Sequence, residues 1–88
     1  MKQPSKKYLR TWNAIKDEVF AVGLREYSLS DMARRAGVAV STLTKWQSGQ
    51  TLRPRLDTLY KVCASLGLHL TVESYELLHD HAQFSEAA

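Results

Sequence analysis

Residues 28–49 read SLSDMARRAGVAVSTLTKWQSG, and their pattern decides the fold. Met32, Ala36, Val38, Leu43 and Trp46 are apolar at the places where two short crossing helices must bury a common face. Ala33 is small where those helices come closest. Ser28 is a good N-cap, with Asp31 three residues on, where an acid favours the positive helix end. Gly37 falls where the first helix stops, because a left-handed backbone costs glycine little. Residues 38–40 make the turn, and a helical pattern resumes over 40–48 and stops at Gly49. The second helix is poorly capped, since Ala39 has no side-chain acceptor. Two helices joined in this way form a helix-turn-helix, the unit that sets its second helix into a DNA major groove.

The flanking sequence extends this unit on both sides. Tyr8, Trp12, Ile15, Val19 and Val22 recur at helical spacing and predict a helix over 8–22, ended by Gly23. Tyr27 and Met32 are placed to pack as a hydrophobic staple. Residues 50–54 read as a loop containing Pro54. A further helix is expected over 55–66, with Leu56, Leu59, Cys63 and Leu66 on one face and Gly67 as its stop. The period then changes: Leu68, Leu70 and Val72 alternate with His69, Thr71 and Glu73, which predicts a strand. A lone strand cannot satisfy its own backbone, so the economical partner is the same strand of a second copy. Residues 75–88 show no clear period, and both a short helix over 75–82 and an irregular tail fit them. The expected organisation is a flexible basic arm over 1–7, a helix-turn-helix domain over 8–67, a dimerisation strand over 68–74 and an acidic tail over 75–88.

Eighty-eight residues make one small domain, which buries only about 60% of its unfolded surface. At 44% hydrophobic and 24% charged, the composition is that of a globular protein. One cysteine permits no intrachain disulfide, which fits a reducing cytoplasm. No apolar run follows the basic first residues, so neither a secretory signal nor a membrane span is expected. Charge is unevenly spread. Up to residue 72, twelve Lys and Arg against five Asp and Glu leave +7, whereas residues 73–88 carry four acids and no base. A basic body suits a polyanionic partner.

The run from Ser28 through TKWQSGQTLRPRLDTLYKVCASLG resembles the lambda-repressor-like family, also called the Cro or XRE type. Trp46, Gly49, Pro54, Leu56, Leu59 and Leu66 fall where that family's pattern of helix-turn-helix, proline-marked loop and further helix places them. The similarity covers roughly residues 8 to 73. It implies an all-α domain of four to five helices. The short C-terminal β-strand expected here, pairing across a dimer through Leu68, Leu70 and Val72, is similar to the ribbon of some small antitoxins of the family.

The start of the second motif helix is the part that enters the groove. Side chains pointing away from Leu43 and Trp46 there are Val40, Ser41, Thr42 and Lys45, the expected base-contacting set, with Thr44 nearer the flank. Ser and Thr hydroxyls read several bases weakly, and Lys45 reaches guanine acceptors or a phosphate. Val40 stands where many family members have glutamine; it suits either thymine methyl groups or packing against the turn. Backbone contacts are expected from Ser28, Leu29 and Ser30 at a helix N-terminus, and from Thr44, Gln50, Thr51, Arg53 and Arg55 around the loop. Leu29 also departs from the family's glutamine. Arg34 and Arg35 lie on an outer face, and Lys6 and Lys7 belong to the arm.

Trp12 and Trp46 fall on apolar stripes and read as core rather than as stacking platforms for single-stranded nucleic acid. Cys63 reads as a small buried hydrophobe. His79, Asp80 and His81 lack further ligands, so no metal site is expected, and no cofactor either. There is no phosphate loop, no nucleophile with a base and no paired carboxylates, so an enzyme is not expected. The reading that fits best is a sequence-specific transcriptional regulator: a homodimeric autorepressor on a palindromic double-stranded DNA operator. The alternative is an antitoxin that also binds a toxin protein, through a tail bearing Tyr75, Leu77, Leu78 and Phe84.

Overall fold

The computed structural model describes residues 4–87, with side chains described through His79. It contains five helices among those residues: α1 (Lys6–Gly23), α2 (Leu29–Ala36), α3 (Val40–Ser48), α4 (Leu56–Ser65) and α5 (Val72–Ala87). The helix-turn-helix is α2 and α3, packed on each other. α4 packs behind α2, while α1 crosses α3 and meets α5.

Local chemistry sets most of the helix ends. Ser28 caps α2, its Oγ accepting the Asp31 N–H at 3.1 Å. The Asp31 carboxylate pairs not with the cap but with Arg34, one turn on. Gly37 and Gly49 close α2 and α3 with φ of 74° and 85°, the left-handed region expected of both. Ala39 gives α3 no side-chain cap, as its sequence implies. α4 begins and ends one residue inside the expected helix, with Arg55 and Leu66 as its caps.

α1 ends at Gly23, as expected, but its C-cap Leu24 is right-handed and Gly23 itself has no positive φ, so glycine is not needed there for its backbone. It is needed for space. A Cβ on Gly23 would lie 2.4 Å from Cε of Met32, so the missing side chain lets α2 lie against the end of α1. Tyr27 is half-buried against the same core.

Two expectations at the chain ends are corrected. The flexible arm does not extend to residue 7. Pro4 is buried, Ser5 caps α1 by accepting the Tyr8 N–H at 3.1 Å, and Lys6 and Lys7 form the first turn of the helix. Residues 1–3 lie outside the described part. At the other end there is no strand over 68–74. Leu68 and Leu70 do alternate with exposed His69 and Thr71, but they turn their apolar side onto the chain's own core. Thr71 then caps α5: its Oγ1 accepts the Ser74 N–H at 3.0 Å, and Tyr75 N–H reaches the Thr71 carbonyl at 2.9 Å. Glu73 in the first turn suits the positive helix end. The helix then buries Leu78 completely, a contribution of about 1.5–3 kcal/mol that a strand ending at residue 74 would forgo.

The core contains Tyr8, Trp12 and Val19 of α1, Met32 and Ala33 of α2, Leu43 and Trp46 of α3, Leu59, Val62 and Cys63 of α4, and Leu78 of α5. Trp12 and Trp46 meet edge to face, with ring centroids 5.0 Å apart. Both are core residues, as their stripes predict. Burial pushes the Cys63 thiol up, which keeps it protonated and inert.

Gly49→Ala forces a Cβ into a left-handed position that joins the recognition segment to its loop. The substitution should destabilise the fold by about 1–2 kcal/mol in urea unfolding, with little change in the slope of the transition.

Candidate nucleic-acid interface

α3 buries Leu43 and Trp46 and turns its other side to solvent. Ser41, Thr44, Lys45, Gln47 and Ser48 are exposed, and Val40 is 44% exposed at the first turn. Thr42 is half-buried. The Thr44 hydroxyl donates to the Val40 carbonyl at 3.1 Å, which leaves only its lone pairs for an external donor. Ser48 is similarly engaged with the Lys45 carbonyl at 3.2 Å. Ser41 and Lys45 therefore lie one helical turn apart on an open face, suited to a groove wall.

Ser28 and Ser30 are exposed at the start of α2, where first-turn N–H groups have no intrahelical acceptor. Leu29 is half-buried and packs against the core, so its departure from glutamine serves packing. Arg34 is held by Asp31, and the Arg35 guanidinium lies 4.4 Å from the centre of the Tyr27 ring.

Residues 50–55 carry the remaining polar candidates. Gln50 is exposed, its N–H bonded to the Lys45 carbonyl at 3.0 Å. The Thr51 carbonyl accepts the Trp12 indole N–H at 2.8 Å. Arg53 is half-buried beside Tyr8; burial raises the Tyr8 phenol above its ordinary value, and the Arg53 charge opposes that rise. Arg55 is exposed, with Nε and Nη2 at 3.3 and 3.4 Å from the Asp57 carboxylate.

A shallow depression of about 180 Å³ gathers the two sets of candidates. Thr42 and Lys45 of α3 form one wall, and Thr51, Arg53 and Arg55 of the loop form the other, with Trp46 and Thr58 between them. Three cationic side chains thus border a hollow beside the recognition helix, the arrangement that suits a phosphate. Ser28, Leu29, Ser30, Val40, Ser41, Thr44 and Gln50 lie outside it.

Two residues escaped the sequence reading. Thr58 faces the depression from the first turn of α4, and its only signal was its spacing from Arg55. Asp57 does not line the depression but sets a negative charge against Arg55, which does. Its carboxyl is held below the usual range first by the Thr58 N–H, at 2.9 Å, and then by Arg55, against a desolvation that raises it.

A family model for the Cro/C1-type HTH DNA-binding domain matches residues 22–71, which include all of α2, α3 and α4 and the loop between the last two. The chain belongs to the Cro/C1-type helix-turn-helix DNA-binding family. The match begins at the end of α1 and stops where α5 starts, so those two helices lie largely outside the family's defining segment. No curated protein and no solved structure matches the chain. No helix among the described residues is long and apolar enough to cross a membrane.

Asp57 pairs with Arg55, so a phosphate at Arg55 would have to compete with its carboxylate. Asp57→Asn keeps an acceptor for the Thr58 N–H and removes the charge. Fluorescence anisotropy on any duplex should show roughly threefold to tenfold tighter binding at low salt, with the gain shrinking as salt rises.

Proposed function

We propose that the protein is a homodimeric, sequence-specific transcriptional repressor that binds a two-fold related operator and controls its own gene. The observation that carries this reading is the juxtaposition of the open Ser41–Lys45 face of α3 with the cationic hollow formed by Lys45, Arg53 and Arg55. Side chains on α3 read base edges, with Ser41, Thr42 and Lys45 as polar readers and Val40 as an apolar contact for thymine methyl groups. The first turn of α2, with Ser28, Leu29 and Ser30, and the loop residues Thr51, Arg53 and Arg55 grip the sugar–phosphate backbone and set the register. Thr44 and Gln50 flank that grip.

A nine-residue recognition helix reads only a few base pairs, so an operator of useful length calls for two copies about one DNA turn apart. Leu68 and Leu70 pack partly against the chain's own core and, with Val72, line a face between α4 and α5 that suits a second copy. An open groove of about 680 Å³ there is bordered by Tyr60, Val72 and Tyr75, three of the most exposed large apolar side chains in the described residues. The groove shares no residue with the DNA-facing hollow, so pairing through it leaves α3 free. Repression by occluding the promoter is the mechanism that needs nothing beyond this domain.

The antitoxin alternative relied on apolar residues of a free tail. Leu78 is fully buried and Leu77 half-buried in the chain's own fold, which weakens that support; the side chain of Phe84 lies outside the described residues.

Binding to DNA upstream of the protein's own gene, compared with scrambled DNA at fixed salt, tests the reading directly. Lys45→Ala should weaken binding to the upstream site by about 1–3 kcal/mol while leaving binding to scrambled DNA nearly unchanged. An equal loss on both would make Lys45 a phosphate contact. Val72→Glu, at an exposed position in the first turn of α5, should keep the helical circular dichroism and convert the dimer to monomer in sedimentation velocity. A persisting dimer would exclude the α4–α5 face.

A further inference from the structure

Trp12 stands outside the hollow described above, yet it touches two residues that line it, Trp46 and Thr51. The residue is 1% exposed, in the middle of α1. Its ring meets Trp46 of α3 edge to face at 88° and 5.0 Å. Its indole N–H donates to the Thr51 carbonyl at 2.8 Å, a bond that joins residues 39 apart in sequence. One turn before it, Tyr8 lies within electrostatic reach of Arg53. Trp46, Thr51 and Arg53 all line the hollow, whereas α1 contributes nothing to its surface.

Residues 50–55 form neither helix nor strand, so no repeating backbone ladder sets their position. A loop of this kind binds an anion well only when it is already held in the binding shape, because ordering it on contact costs affinity. An indole suits that task. Its flat faces and edge pack like any aromatic ring, and its single N–H must find an acceptor when buried. Phenylalanine would satisfy the first requirement and not the second.

We propose that Trp12 is a positioning residue for DNA-backbone binding: its ring edge seats the recognition helix through Trp46 while its N–H fixes the Thr51 carbonyl, which holds the cationic loop at a set distance from α3. This rests on the proposed DNA-binding function of the hollow. It adds that α1, which lends no residue to the hollow, determines how well the loop grips. The discrimination between base sequences stays with α3, so Trp12 governs the phosphate part of the affinity and not the specificity ratio.

The test uses the full chain with Trp12→Phe. Three results are expected. Amide hydrogen exchange at Gln50, the loop residue whose N–H bonds the Lys45 carbonyl, should quicken about tenfold or more without DNA, while the helical core keeps its protection. Affinity should fall several-fold, by the same factor on the upstream duplex and on scrambled DNA. The plot of log affinity against log salt should become shallower by about one. A purely structural role would lower the melting temperature and leave that slope unchanged. A folded Trp12→Phe chain with wild-type exchange at Gln50 and a wild-type salt slope would overturn the proposal. Should phenylalanine prevent folding, benzothienylalanine at position 12 keeps the bicyclic ring and replaces only the N–H; the same three readouts then decide. Failure of the wild-type chain to bind any duplex would sink the DNA-binding reading itself, and the exchange measurement would still report whether Trp12 holds the loop.

Discussion

The buried meeting of Trp12 with Trp46 is the contact on which the rest of the molecule depends. Edge-to-face aromatic pairs contribute about 0.5–1.5 kcal/mol beyond the area that they bury, and this one also fixes an angle. It sets α3 against α1. Because the same indole spends its N–H on Thr51, it also sets the loop that follows α3. A small domain with a limited core gains from such double use, since each large side chain must orient more than one element. The exposed face of α3 is then a consequence: with Leu43 and Trp46 committed inward, Ser41 and Lys45 have only solvent or DNA to face.

The proposed DNA surface is built from two kinds of position with different demands. On α3 a helical backbone fixes where the side chains start, so a change of side chain there would alter which bases are read. In the loop the side chains are long and cationic, and the constraint lies in where the backbone carries them. Asp57 tempers this second set: its carboxylate holds Arg55 and lowers the local positive charge.

The C-terminal segment shows how one pattern serves two structures. Leu68 and Leu70 alternate with polar neighbours, and alternation is the mark of an element with one buried side. The buried side proved to be the chain's own core, and the alternation lasts only until Thr71. The competing signal was present in Thr71, Glu73 and Ser74, a cap and an acid that open a helix. What outweighed the strand was Leu78, seven residues further on, whose burial requires a helix that reaches it. Gly23 gives a second instance. Its place after an apolar run read as a helix stop, but the cause is the thioether of Met32 from another helix.

The amino-acid sequence by itself determined the helix-turn-helix. Its start at Ser28, its turn at Gly37, the span of α3 over Val40–Ser48 and its end at Gly49 were all legible, because caps, left-handed glycines and 3.6-residue periodicity act within a few residues. The polar face of α3 was legible for the same reason, since periodicity alone says which side is not core. Only the tertiary structure decided which candidates share one hollow, that Leu29 packs inward, that Thr58 joins the hollow, and that residues 68–71 lead into α5 rather than a strand. Each of those outcomes depends on atoms brought together from distant parts of the chain, as the 39-residue reach from Trp12 to Thr51 illustrates. No local rule of spacing or propensity contains such a distance.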